Sequence, residues 1–213
     1  MNRQDTKKNG KQVRIVAICG SLREGSYTRQ ALSTALEGAK KEGAETQLIE
    51  LRDYELVFYG MTDEKDFPQD VFRLRRDVQQ AQGILLGSPE YHGGLSGVLK
   101  NALDLMSFDE IEGKVIGLVG VSGGSMGALN ALNSLRTISR NLHAWVLPQQ
   151  VSIPEAHKYF DVRGNLTDSS IEKRLWEVGQ KATQFAKLLE LHKDKEFIKM
   201  WEGLPFNPAG RKK

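Results

Sequence analysis

The chain has 213 residues, 39% hydrophobic and 27% charged: the length of one domain with a sizeable core, and a globular rather than a disordered composition. No apolar run approaches the ~20 residues of a membrane span, and polar, basic residues 1–11 lack the apolar region of a secretory signal, so neither membrane insertion nor export is expected. The net charge of +3 sits in the ends, with +4 in residues 1–14 and +3 in residues 211–213 against −4 between them, which leaves no basic face of the kind nucleic-acid binding needs.

Val13 to Cys19 is an almost continuous apolar run rich in β-branched residues, the pattern of a parallel strand buried on both faces. Cys19 is the one cysteine of the chain, so disulfides, CxxC redox pairs and thiolate-rich metal sites are excluded. In this run it reads as a small buried hydrophobe, and the cytoplasm is the expected compartment. After the turn Gly20 to Ser26, residues 27–41 favour helix with Ala31, Leu32, Ala35 and Leu36 on one face. Thr46 to Leu51 alternates as an edge strand would, residues 54–68 are irregular and acidic, and residues 69–80 read as a charged surface helix.

Gly83 to Leu86 is the expected third strand, followed by the glycine-rich stretch Gly87-Ser88-Pro89-Glu90-Tyr91-His92-Gly93-Gly94-Leu95-Ser96-Gly97 and a helix running to Met106. Residues 114–121 form the fourth strand, ending in Ser122-Gly123-Gly124. A helix to Asn141 follows, with Leu129, Leu132, Leu135 and Ile138 expected inward. Ala144 to Leu147 reads as a short fifth strand cut by Pro148, and residues 154–167 as loop. Residues 171–191 form the longest helix, with Ile171, Leu175, Val178, Ala182, Phe185 and Leu189 as its buried stripe. The expected organisation is a disordered basic tail over residues 1–12, one folded domain over 13–192, and an extension over 193–213 made of a short helix and an extended end.

Strands alternating with helices imply right-handed parallel β-α-β units. Five of them predict an α/β, three-layer, flavodoxin-like fold: a five-stranded parallel sheet of order 2-1-3-4-5 with helices on both faces. Ligands of such sheets bind beyond the carboxyl ends of the strands, at the switch between strands 1 and 3. The glycine-rich turns after strands 1, 3 and 4 would all gather there.

The first turn joins a buried strand to a helix N-terminus, where unpaired amides and the helix dipole favour an anion. Ser21, Ser26, Tyr27 and Thr28 add hydroxyls and Arg23 a cation, which suits a phosphate monoester; plain helix capping by Ser and Thr is the bland alternative. GxGxxG is absent, and Ser26-Tyr27 stands where a nucleotide-hydrolysing loop needs Lys-Ser/Thr. In the second turn Pro89 fixes φ, Gly93 and Gly94 free the backbone, and Tyr91 and His92 offer a planar face or donors. Glu90 and His92 could also be read as an acid–base pair, although no residue nearby fixes their orientation. The third turn matches GxSxG as Gly120-Val121-Ser122-Gly123-Gly124, with Asp161 or Asp168 and His192 following in hydrolase order. The chain is short for that fold and has no HGGG-type loop, so Ser122 and Gly123 read better as a third backbone wall.

Two stretches carry a family likeness: Gly20-Ser21-Leu22-Arg23 with Ser26 and Thr28, and Ser88-Pro89-Glu90-Tyr91-His92-Gly93 continuing as Gly97-Val98-Leu99-Lys100-Asn101-Ala102-Leu103-Asp104. Over residues 13–191 the chain resembles the NADPH-dependent FMN reductases, flavodoxin-like enzymes that include quinone, chromate and azo-dye reductases. The resemblance implies non-covalent FMN, with Ser21, Arg23, Ser26, Tyr27 and Thr28 at its phosphate. Pro89, Glu90, Tyr91, His92 and Gly93 would lie along its ring system, with Ser122 and Gly123 on the third side. It also implies NADPH or NADH as reductant, giving hydride to the flavin N5, and a small-molecule acceptor (quinone, azo dye, metal ion or free flavin) taking the electrons. No catalytic side chain and no metal are needed. A homodimer or homotetramer with residues 97–106 near the subunit contact is implied as well. The alternatives are a flavodoxin-type electron carrier, which the modest acidity of the body argues against, a flavin- or nucleotide-binding regulator without turnover, and a serine hydrolase built on Ser122.

Overall fold

The computed structural model describes residues 12–191. Of the expected tail over residues 1–12, residues 1–11 lie outside that range, as do His192 and the extension 193–213. The chain runs β1 (Arg14–Cys19), α1 (Tyr27–Lys41), β2 (Glu45–Glu50), α2 (Gln69–Gln79), β3 (Gly83–Tyr91), β4 (Gly94–Leu95), α3 (Gly97–Asp104), α4 (Phe108–Ile111), β5 (Val115–Val121), α5 (Leu129–Asn141), β6 (Trp145–Ile153) and α6 (Ser169–Leu191). The five long strands are parallel in the order β2-β1-β3-β5-β6, the expected arrangement, and the two-residue β4 folds back antiparallel on β3.

The period-2 geometry of strands divides the core into two layers. Ile15, Ala17, Leu85 and Val119 face α1 and α6, meeting Ala31, Leu32, Ala35, Leu175, Val178 and Ala182. Val16, Ile18, Ile84, Leu86, Ile116 and Leu118 face the other way, onto Leu74 of α2, Leu99 and Leu103 of α3 and Leu135 of α5. The central strands β1, β3 and β5 are therefore apolar on both faces, and β2, covered less fully at the sheet edge, is half-polar.

Several boundaries differ from the sequence reading. The third strand does not end at Leu86: it continues through Ser88-Pro89-Glu90-Tyr91, with Pro89 in register opposite Val121 of β5 and β4 paired with its last two residues. Pro148 does not end the fifth strand either. The β5–β6 register passes from Ile116↔Val146 to Leu118↔Gln150, so Pro148 sits in a bulge of an edge strand, a place a proline tolerates. Leu129 is exposed, since it is the first residue of α5 and precedes the turn that meets the sheet. Phe185, expected in the buried stripe of α6, is 45% exposed. With Trp145, Pro148 and Leu188 it borders an apolar groove of about 400 Å³ at the β6 edge. The short α4, closed by a reciprocal Ser107–Glu110 capping box, was not apparent from periodicity.

Candidate functional site

The sheet order brings three strand ends together. Cys19 pairs in register with Gly87, and Pro89 pairs with Val121, so the turns that leave β1, β3 and β5 begin side by side. The Gly20 amide donates to the Gly87 carbonyl at 2.8 Å. Ser96, at the cap of α3, ties the first two turns: its hydroxyl donates to the Gly20 carbonyl at 2.6 Å and accepts from the Leu99 amide, while its own amide donates to the Ser88 hydroxyl at 3.0 Å. Ser88 and Ser96 are both buried, so these bonds are shielded from water.

In the first turn Ser26 caps α1, its hydroxyl accepting from the Arg29 amide, and Ser21 accepts from the Arg23 amide at 3.4 Å. The amides of Tyr27 and Thr28, in the first helical turn, have no acceptor among the described residues. Ser21, Ser26 and Thr28 are buried, and Arg23 is exposed. Its guanidinium lies 5.5 Å from the Tyr91 ring centroid, a cation–π contact joining the first turn to the second. The Tyr27 ring stacks on Phe160 with centroids 4.8 Å apart. Burial pushes the Cys19 thiol above its ordinary range, which removes it as a nucleophile at neutral pH.

The second turn is a β-hairpin. His92 at φ 52° and Gly93 at φ 77° link Tyr91 to Gly94, both in the left-handed region that a two-residue type I′ turn demands. Pro89 is buried, Glu90 half-buried, and Tyr91, His92 and Gly93 are exposed at the tip. Glu90 does not face His92 as an acid–base partner would: its carboxylate accepts from the Ala131 amide at 3.0 Å and from Asn130 Nδ2 at 3.4 Å, both on α5.

In the third turn the Ser122 amide donates to the Ile153 carbonyl, its carbonyl accepts from Ala156, and its hydroxyl accepts from the Gly124 amide at 3.0 Å. Gly123 borders open space. The carboxylates a hydrolase would recruit are engaged elsewhere. Asp161 accepts from the Arg163 and Asn165 amides of its own loop, and Asp168 caps α6 through Ser170 and Ile171.

The structure thus gathers Ser21, Arg23, Ser26, Thr28, Pro89, Tyr91, His92, Gly93, Ser122 and Gly123 around the carboxyl edge of β1, β3 and β5, with the Glu90 side chain turned to α5. Sequence reading missed Ser88, Ser96 and Ser152, whose hydroxyl accepts from the Ala128 amide. Ser96 directly before an apolar helical pattern was the one legible signal, that of an N-cap. Among the described residues no cluster of His, Cys, Asp and Glu could hold a metal ion, and no helix is long and apolar enough to cross a membrane.

Residues 13–158 match the family model described as NADPH-dependent FMN reductase. The chain is 31% identical over 187 residues to the NADPH-dependent FMN reductase ArsH of Shigella flexneri, covering 85% of this chain and 72% of that one. It is 32% identical over 97 residues to an NAD(P)H:quinone oxidoreductase of Solanum tuberosum, a match that takes in 45% of this chain and spans only 50% of the potato protein. Among solved structures, the flavoenzyme NAD(P)H:(acceptor) oxidoreductase FerB of Paracoccus denitrificans superposes with a TM-score of 0.65 at 22% identity, over 83% of this chain and 98% of that one.

Proposed function

Because the chain belongs to the NADPH-dependent FMN reductase family, we propose that the three converging turns form its FMN site and that the exposed hairpin tip and the Ser122-Gly123 wall admit nicotinamide and acceptor in turn. The activity itself is that of an FMN-dependent NAD(P)H oxidoreductase. One observation carries the site assignment: the acceptor-less Tyr27 and Thr28 amides at the start of α1 share the first turn with Arg23, whose guanidinium lies over the Tyr91 ring, and with Gly20, bonded to β3, at the β1/β3 switch where such sheets bind ligands.

The residues present fit FMN. The first turn offers amides, the Ser21, Ser26 and Thr28 hydroxyls and one cation, which suit a phosphate monoester. The backbone of Pro89 to Gly93 and that of Ser122 and Gly123 suit the edges of a flat ring, and the open space at Gly123 leaves room for it. When bound, FMN supplies the two-electron exchange between a nicotinamide and an oxidised acceptor. The protein's part is to hold the phosphate through α1, to keep the ring plane fixed between the second and third turns, and to leave one approach uncovered. Alignment of the reacting atoms then contributes most of the rate. An uncovered approach accepts many planar oxidants, so quinones, azo dyes, free flavins and metal ions are all proposed acceptors.

We place the enzyme in the cytoplasm as a homodimer or homotetramer, with α3 near the subunit contact. The support is local: Phe58, Tyr59 and Met61 are exposed beside α3, held there by Asn101, whose Nδ2 donates to the Val57 carbonyl and whose Oδ1 accepts from the Tyr59 amide.

The test is spectroscopic. Purified protein reconstituted with FMN is expected to be yellow, to bleach on addition of NADPH or NADH, and to recolour with a quinone. Protein that takes up no FMN, or whose flavin is reduced by dithionite but never by a nicotinamide, would overturn the reading. Arg23→Ala is expected to weaken FMN binding about tenfold, the worth of one charge-assisted bond to phosphate, with the loss shrinking as ionic strength rises. Unchanged affinity would remove the first turn from the phosphate site.

A further inference from the structure

We infer that Glu90 is a positioning residue that sets the gap between the second and third turns by capping α5 from across the site. The inference rests on the FMN-site reading above. Three observations converge on it. First, α5 begins without a cap of its own: Ala128 stands at the N-cap position and supplies no side-chain acceptor. Its first-turn amides therefore need an acceptor from elsewhere. Second, Glu90 supplies it, taking the Ala131 amide at 3.0 Å on one carboxylate oxygen and Asn130 Nδ2 at 3.4 Å on the other. Third, Glu90 and Tyr91 are consecutive in an extended strand, so their side chains leave opposite faces. Glu90 reaches α5 while Tyr91 lies under the Arg23 guanidinium.

The hairpin is consequently held on both sides. One side is pinned to the first turn through Arg23 and Tyr91, and the other to α5, the helix that follows the third turn. The amide of Ala128, just ahead of α5, is fixed in turn by Ser152 at 3.1 Å. Cutting the Glu90 link removes the hydrogen bonds between the hairpin and the start of α5, leaving the β3–β4 pairs Glu90↔Leu95 and Tyr91↔Gly94 and the Arg23–Tyr91 contact. The slot between hairpin and third turn would then vary in width, and a planar ring held there would lose alignment.

The required property is acceptance of hydrogen bonds, not charge or proton transfer, and the variants separate these. Glu90→Ala is expected to weaken FMN binding to the apoprotein about five- to tenfold, the range for losing an N-cap acceptor. In the FMN-free protein it should also speed amide hydrogen exchange at Ala131 and at residues 92–95. Glu90→Gln keeps an acceptor oxygen. It should return both readouts to within about twofold of the wild type and leave the pH profile of quinone reduction unchanged. Asn130→Ala, which removes only the longer bond, should bind FMN as the wild type does. The inference is overturned if Glu90→Ala binds FMN with wild-type affinity and unchanged exchange. It is equally overturned if Glu90→Gln is as impaired as Glu90→Ala, since the carboxylate's charge or proton would then be what matters. A wild-type protein that binds no FMN would refute the function reading instead, while hydrogen exchange in the apoprotein would still decide whether Glu90 caps α5.

Discussion

His92 adopts φ 52° and Gly93 φ 77°, and at these positions the side chain matters less than the backbone it permits. A type I′ turn favours Asn-Gly, and a β-branched residue in the left-handed region is strained by about 1–3 kcal/mol. His92→Val is therefore expected to lower the stability of the apoprotein by that order and to weaken FMN binding. His92→Asn should match or exceed the wild type in thermal melting. If His92→Asn instead abolished turnover with FMN binding intact, the imidazole would be doing chemistry that the turn geometry does not require. Cys19 gives a second residue-scale expectation. Burial raises its thiol pKa, and the Sγ donates to the Ser21 carbonyl at 3.8 Å, so the native protein should resist a thiol reagent at neutral pH and react once unfolded. Cys19 was readable in the sequence as a small buried residue, and it is one; His92 was readable as part of a turn, but not in the backbone conformation it takes. A Tyr-His-Gly-Gly string announces a turn, whereas the side of the chain that Glu90 takes depends on a helix that begins forty residues later.

At the level of elements, the phosphate-facing turn is only as steady as the packing of α1 on α6. The two helices meet through Gly38 and Gly179, where a Cβ on Gly179 would overlap the Ala35 carbonyl oxygen and one on Gly38 would overlap the backbone of Trp176. Gly179→Ala should therefore push α6 away from α1 rather than gain helix propensity, at a cost of about 1–3 kcal/mol or more, as overpacked contacts do. Thermal melting checks the sign, and an accompanying loss of FMN affinity would place the damage at α1. Periodicity found α1, α3, α5 and α6 because each lays a clear apolar stripe on the sheet. It failed where the two periods compete with special backbone. The β3 extension carries a proline and ends in a hairpin, β6 passes a proline at a bulge, and α4 is too short to register a stripe. Phe185 misled because helical spacing identifies a face but not where the neighbouring strand stops covering it.

For the molecule as a whole, the convergence of three turns was legible because strand order follows from alternating elements and handedness, whereas the network that locks the turns, built on Ser88, Ser96 and Ser152, depends on distances no one-dimensional pattern contains. The segment closing the far side of the site depends on carboxylates. Glu155, Asp161 and Asp168 all have lowered pKa values, chiefly through hydrogen bonds from the Lys158 ammonium, the Asn165 side chain and the Ser170 hydroxyl respectively. Between them lies Phe160, whose ring supports Tyr27 at the head of α1. A carboxylate whose folded pKa is depressed contributes stability above its unfolded value, near 4, and loses that contribution as pH falls through the folded value. Melting temperature should therefore hold near neutral pH and drop below about pH 4, as the segment from residue 154 to the start of α6 comes loose. Asp161→Asn with Asp168→Asn keeps the turn and cap acceptors but removes their titration, so this variant should melt close to wild type at pH 7 and show a shallower acid dependence. An acid limb as steep as the wild type's would assign the loss to groups outside this segment.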